Sequence, residues 1–137
     1  MELRDTHCGW SFTFQNCGVQ LILIDFRLGL SMSDGADELR LEIGSQCHLS
    51  QSGTDIVLFP EETPSVAPVL SLFKAIVLGI EIQRGGKLTI NFDGDRYLFV
   101  EPDSKYEAWE LGCPSVNQLF VCQPGGGVSQ FAGKDAR

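Results

Sequence analysis

The sequence predicts an α+β domain that is mostly antiparallel β, in which a curled sheet or two packed β layers carry one short helix. Three observations lead to this prediction. Apolar and polar residues alternate with a period of two over many short segments, which is typical of half-buried strands. Turn-forming pairs such as Asp93-Gly94 separate neighbouring segments. Apolar residues at helical spacing occur in one stretch, between Thr63 and Ala75.

The first half of the chain is predicted to form five strands, at residues 10–14, 19–25, 27–32, 38–43 and 55–59. Residues 16–18 are an Asn-Cys-Gly sequence, which predicts a turn between the first two strands. The second segment is apolar on both faces, and this favours a central position in the sheet. Pro60 ends the fifth strand, because proline cannot donate to a strand ladder.

A short helix is predicted after this strand. The apolar residues Val66, Val69, Leu70 and Phe73 are spaced as one stripe of a helix. If Ser65 is the N-cap, the proline at position 68 is the third helical residue, whose N–H would have no partner within the helix. We therefore expect a helix over about residues 66–74.

The second half is predicted to add five more strands, at residues 76–83, 87–92, 96–101, 107–111 and 119–122. Tight turns join the first three of these into a meander. So many short strands must curl or split into two packed layers, with the helix covering one side. The chain has no internal repeat or linker, so residues 1–137 are expected to form a single domain with a flexible tail from about 129 to 137.

The charge of the chain excludes some classes of partner. Eighteen acidic and 10 basic residues give a formal net charge of −8, and the sequence pI is about 4.6. Phosphate backbones and anionic lipid head groups would be repelled, so neither nucleic acid nor a membrane surface is an expected partner. A composition of 43% hydrophobic and 20% charged residues is typical of a globular domain rather than a disordered chain.

Cysteine usage indicates a reducing compartment and no metal site. The five cysteines lie at positions 8, 17, 47, 113 and 122. An odd number without a secretory signal favours reduced thiols, and the expected location is the cytoplasm. The spacings lack a zinc knuckle, and the adjacent Cys47 and His48 would point to opposite faces of a strand. We therefore expect no metal and no cofactor.

No catalytic motif stands out in the sequence. The glycine run at 125–127 lacks the Lys-Ser/Thr that follows a phosphate-binding loop. The carboxylates of Asp93 and Asp95 flank a hairpin glycine, which explains them as turn residues. A Cys–His site or a carboxylate site around Glu107 and Glu110, assembled in space, stays open as an enzymatic hypothesis.

The acidic residues are the remaining positive signal, because they lie mostly at predicted turns and strand ends. Such a surface suits a basic protein partner, since electrostatic complementarity speeds association and selects partners. The aromatic residues Tyr106 and Trp109 lie close to this charge and would add aromatic anchors, while Trp109 is expected to pack in the core. The candidate partner-binding residues are Glu61, Glu62, Asp103, Tyr106, Glu107 and Glu110.

The chain also resembles a family of small bacterial proteins of unknown function. The resemblance extends over about residues 19–128, and its distinctive part is the segment Tyr106-Glu107-Ala108-Trp109-Glu110-Leu111 followed by a Pro-Gly-Gly sequence at 124–126. No catalytic residues are assigned to that family, so none carries over. Such single-domain proteins are similar in size and charge to immunity proteins, which neutralise a cognate toxin in the cytoplasm.

Three functional hypotheses follow from these observations. The first is a cytoplasmic immunity-type protein, not an enzyme, that binds a basic cognate toxin domain through the acidic surface. The second is a small-ligand or carbohydrate-binding β domain with an apolar pocket around Trp10, Phe12 and Trp109. The third is an enzyme with a Cys–His or carboxylate site assembled in space.

Overall fold

The computed structural model describes residues 1–132 and is mostly antiparallel β, as predicted. The described residues form one open sheet of 12 strands. The strands are β1 Glu2–Thr6, β2 Gly9–Ile24, β3 Leu28–Ser33, β4 Glu38–Ile43, β5 Cys47–Gln51, β6 Thr54–Leu58, β7 Ile76–Gln83, β8 Leu88–Phe92, β9 Arg96–Val100, β10 Trp109–Cys113, β11 Gln118–Cys122 and β12 Val128–Ala132. Two 3₁₀ helices, Thr63–Leu72 and Pro114–Val116, complete the described fold.

The sheet folds over on itself around one core. Its strand order is β12-β11-β10-β4-β3-β2-β7-β8-β9-β5-β6, and β1 pairs with the first part of β2. In a flat sheet, the four strand spacings between β11 and β2 would separate them by about 19 Å. Instead, the ring of Phe120 on β11 lies 5.3 Å from the Trp10 ring and 5.7 Å from the Phe12 ring of β2, between centroids. The sheet is therefore curled, and its inner faces pack against each other.

The strand β2 is shared by both halves of the sheet. Its first part pairs with β7 and its second part with β3, so it lies in the middle of the strand order, as predicted. The predicted turn at residues 16–18 is wrong, because the strand continues through it. Asn16 has a φ of 60°, and the register with β7 shifts between Thr13 and Cys17. The turn-like residues form a β-bulge, which bends the strand without ending it.

The predicted helix exists, but it is a 3₁₀ helix that begins at Thr63, three residues earlier than expected. A 3₁₀ helix has three residues per turn, so Val66, Val69 and Leu72 are buried while Leu70 and Phe73 are exposed. Ser65 is not the N-cap; its hydroxyl bonds to the backbone of the preceding loop. No helix within residues 1–132 has the length and apolar character that a membrane span requires.

Three strands were not predicted from the sequence, namely β1, β5 and β12. In β5, Cys47 and Leu49 are buried between β6 and β9. The strand β12 pairs with β11 from Val128 to Ala132, where the sequence suggested a flexible tail from about residue 129. The rest of that predicted tail, residues 133–137, lies outside the described residues.

Candidate functional site

Three loops converge at one end of the sheet because of the pairing of β5. Cys47 at the start of β5 pairs with Leu58 at the end of β6 and with Val100 at the end of β9. The loop before β5 and the loops after β6 and β9 therefore leave the sheet side by side. They enclose a cleft of about 240 Å³, lined by Gly44, Ser45, Gln46, Phe59, Pro60, Glu61, Glu62, Asp103 and Tyr106. We call it the acidic cleft.

Four of the six predicted partner-binding residues line the acidic cleft: Glu61, Glu62, Asp103 and Tyr106. The other two, Glu107 and Glu110, line a small neighbouring depression together with Arg27, Glu42 and Trp109. Gly44 lines both, so the two sites adjoin. All six residues thus lie on one side of the molecule, which we call the acidic surface.

The carboxylates of the acidic surface are not neutralised by neighbouring basic groups. Within the described part of the chain, Glu61, Glu62, Asp103, Glu107 and Glu110 form no ion pair. Arg27 lies beside them but pairs with Glu42 at 2.8 Å. Clustered like charges raise the local negative potential, which attracts a basic partner over a distance set by the ionic strength.

The loop after β9 has a defined shape that exposes Tyr106. The Oδ1 atom of Asp103 accepts hydrogen bonds from the backbone N–H groups of Lys105, at 2.8 Å, and Tyr106, at 3.1 Å. This pattern forms an Asx-type turn, which fixes the loop locally. Tyr106 projects from the turn with 70% of its surface exposed. An exposed aromatic ring beside carboxylates is a suitable anchor for a protein partner.

The same loop is held from behind by closely packed glycines, which we call the glycine junction (Gly85, Gly86 and Gly126). An added Cβ at Gly126 would lie 2.7 Å from the carbonyl oxygen of Gly85, so only glycine fits there. The indole Nε1–H of Trp109 donates to the carbonyl of Gly86 at 2.8 Å. The N–H of Gly125 donates to the carbonyl of Asp103 at 2.7 Å. The glycine runs therefore serve close packing that supports the acidic cleft.

The aromatic residues proposed to line an apolar pocket are part of the core. Trp10, Phe12 and Trp109 are 6%, 0% and 1% exposed, respectively. The rings of Trp10 and Phe12 pack edge-on against Phe120, so these side chains fill the space that a ligand would need. Trp109 packs in the core, as expected, and exposes almost none of its surface to the neighbouring depression. Tyr106 alone remains an exposed aromatic anchor among the predicted residues.

The cysteine and histidine residues occupy different environments. Burial raises the pKa of the Cys47 thiol to about 12, and its neighbour His48 stacks on Phe99 with ring centroids 4.6 Å apart on the outer face. The exposed Cys8 lies 3.4 Å from Nε2 of His7 in the β1–β2 turn. Among residues 1–132, no cluster of three or more His, Cys, Asp or Glu side chains is arranged to hold a metal ion.

Sequence reasoning missed several residues of the acidic cleft. Phe59 is 40% exposed and, with Pro60, forms one wall of it. The segment Gly44-Ser45-Gln46 forms another wall. Its Gly-Ser pair directly after a clear strand is a turn signal, and Cys47 and Leu49 alternate with polar residues as a strand should. Those two signals could have identified β5 and the loop before it.

The comparisons with known proteins add one positive result. A family model described as a family of unknown function, DUF6188, matches residues 10–132. No curated protein matches the chain, and no solved structure matches it. The matched residues include the whole acidic surface and the glycine junction, and they confirm the predicted resemblance to an uncharacterised family. The chain belongs to the DUF6188 family of unknown function.

Proposed function

We propose that this protein is an immunity-type protein that binds a cognate bacterial toxin domain in the cytoplasm and neutralises it. The observation that carries this proposal is the acidic surface. Five carboxylates without ion pairs among the described residues lie on the same side of the molecule as the exposed ring of Tyr106, four on the converging loops and Glu110 on β10.

The geometry of the acidic cleft suits a basic side chain of the partner. The carboxylates of Glu61, Glu62 and Asp103 line the same cleft as the rings of Phe59 and Tyr106. A lysine or arginine entering the cleft would meet both carboxylate acceptors and aromatic faces, which stabilise cations by charge-assisted hydrogen bonds and cation–π contacts. A volume of about 240 Å³ admits one such side chain rather than a large ligand.

Neutralisation would follow from steric and electrostatic occlusion of the toxin. A stable protein–protein interface buries about 1,200–2,000 Å² in total. The walls of a single cleft offer much less surface than that. The neighbouring depression with Glu107 and Glu110 therefore belongs to the same interface. Loops of this size would cap a basic active-site cleft of the toxin or fill it, and a catalytic site covered in this way excludes its substrate.

The proposal is tested by co-expression with the product of the neighbouring reading frame as the candidate toxin. We expect the wild-type chain to restore growth and to co-purify with the toxin. The double variant Glu61→Lys/Glu62→Lys should lose protection, because it reverses two charges of the cleft. A chain that neither protects nor forms a complex would show that the proposed function is wrong.

A matched control separates the cleft from the overall charge. Glu81 and Asp55 are exposed carboxylates on β7 and β6, and they form no ion pair with any described residue. The double variant Asp55→Lys/Glu81→Lys changes the net charge by the same amount and should still protect. Equal loss in both double variants would mean that net charge, not the acidic cleft, determines protection.

A further inference from the structure

The second part of β2 has an unpaired edge. Val19 is the last residue of β2 that is bonded on the β7 side: its N–H donates to the carbonyl of Ala75 at 3.0 Å, and its carbonyl accepts from the N–H of Lys74 at 2.8 Å. In the part of the chain that the structure describes, residues 21–24 pair only with β3, and Gln20 lies at a β-bulge. The sequence of residues 21–24, Leu-Ile-Leu-Ile, is uncharged and apolar. Such an edge is a template for pairing with another strand.

An exposed aromatic side chain and a groove flank this edge. Phe26, in the turn after β2, is 71% exposed and has a φ of 52°, which is uncommon for a bulky residue. Backbone strain of this kind is often retained where a side chain makes a functional contact. At the other end of the edge lies a groove of about 580 Å³ with a mixed lining. Val19, Phe73 and Ile76 supply its apolar part, and its polar and charged lining residues are Asn16, Gln20, Ser33, Asp34 and Lys74.

We propose that two copies of this chain associate through this edge, with the two β2 strands antiparallel about a two-fold axis at Ile22. In this register Ile24 of one copy faces Gln20 of the other. Phe26 follows Ile24 in the turn after β2, and Gly18 precedes Gln20 on β2, so Phe26 of one copy and Gly18 of the other lie at the same end of the strand pair. Phe26 of each copy therefore lies beside the groove of the other copy, which Gly18 also lines.

The charges near the edge also favour a second copy as the occupant. The same register brings Asp25 of one copy to the level of Val19 of the other copy. In that copy, the backbone N–H of Lys74 donates to the carbonyl of Val19, so Lys74 lies at the same level. Neither Asp25 nor Lys74 has an ion pair among the described residues, so each is available to the other copy. A two-fold interface repeats each complementary contact twice.

The area available indicates a weak dimer. If a fully exposed large apolar side chain offers roughly 200 Å², the exposed parts of Leu21, Leu23, Phe26, Phe73 and Ile76 offer roughly 500 Å² per copy. Two copies would then bury roughly 1,000 Å², which is at the lower end for specific interfaces. The association should therefore depend on protein concentration.

Sedimentation velocity of the full chain over about a hundredfold range of concentration tests this dimer. The wild-type mass should rise from the monomer value of 15.0 kDa towards twice that value. Phe26→Asn should remain monomeric throughout while keeping the circular dichroism of the wild type, because asparagine tolerates a positive φ. The proposal is overturned if the wild-type chain stays monomeric over this range. This includes the case in which the edge binds only a different protein.

A charge exchange tests the register itself. Asp25→Lys and Lys74→Asp should each weaken dimerisation by about tenfold, and the double variant should recover it, because the ion pair is restored with reversed polarity. Lys105→Asp, an exposed lysine beside the acidic cleft, should have no effect. Failure of the double variant to recover, with a native spectrum, overturns the register. Glu61→Lys/Glu62→Lys should dimerise normally, so this test is independent of toxin binding.

Discussion

The glycine junction yields the sharpest prediction about stability, through the substitution Gly126→Ala. Gly126 has a φ of 101°, and an added Cβ would lie 2.7 Å from the carbonyl oxygen of Gly85. The contacted atom belongs to the backbone, so relief of the clash requires the β7–β8 turn to shift. That shift would also disturb the carbonyl of Gly86, to which Trp109 donates its indole N–H.

Two terms set the magnitude of this effect. A non-glycine residue at positive φ costs about 1–2 kcal/mol, and overpacking a close contact costs about 1–3 kcal/mol more. Gly126→Ala should therefore lower the free energy of unfolding by about 2–5 kcal/mol. Gly125→Ala is the matched control: its φ is 82°, but nothing lies within 4 Å of the added Cβ. It should cost only about 1–2 kcal/mol, the strain term alone.

Urea denaturation followed by tryptophan fluorescence measures both variants under identical conditions. A larger loss in Gly126→Ala than in Gly125→Ala, at unchanged m-value, supports close packing at the junction. Equal losses in the two variants would refute the reasoning, because only the strain of positive φ would then be detected. The contact between Gly85 and Gly126 would in that case not constrain the turn.

Four further predictions concern single side chains. Trp109→Phe removes the donor of a buried carbonyl in the β7–β8 turn, and urea denaturation should show a loss of about 1–3 kcal/mol. Ser65→Ala removes two hydrogen bonds, of 2.9 and 2.8 Å, to the backbone of Phe59, and should cost about 1 kcal/mol in the same assay; a neutral effect would mean that water replaces the hydroxyl. A thiol reagent at about pH 8 should modify only Cys8 in the native protein, because the other four cysteines are buried. Burial raises the pKa of Cys47 from 9.0 to about 12, so the folded state holds this proton more tightly than the unfolded state. The contribution of this thiol to the free energy of unfolding should therefore be constant below pH 9.0 and be lost as the pH rises towards 12; a rise in stability over this window would contradict the cause given.

The strands that could be predicted from the sequence are those with clear alternation, such as β4, where Leu39, Leu41 and Ile43 are all buried. Local signals failed where long-range packing decides the outcome. The Asn-Cys-Gly sequence at residues 16–18 favours a turn, but pairing of β2 with both β7 and β3 keeps the strand continuous. The two prolines at 64 and 68 restrict the residues before them, and the helix adopts the 3₁₀ form with a three-residue period of burial.

The candidate site was predicted in composition but not in arrangement. Acidity and the nearby aromatic residues pointed to the six residues of the acidic surface, and four of them line one cleft. Their convergence depends on the pairing of β5 with both β6 and β9, and β5 was itself not predicted. Phe59 was not predicted for the same reason. A residue just after a strand can be assigned to a cleft wall only if the positions of the neighbouring loops are known.

The rate of association with the cognate toxin domain tests the proposed role of the acidic surface most directly. Stopped-flow measurements at increasing salt would compare the wild type with Glu61→Lys/Glu62→Lys. Steering by the acidic surface predicts a wild-type rate constant that falls steeply with salt, and a value at low salt at least about tenfold lower in the double variant. Equal, salt-independent rate constants for the two proteins would contradict a partner-binding role for these carboxylates.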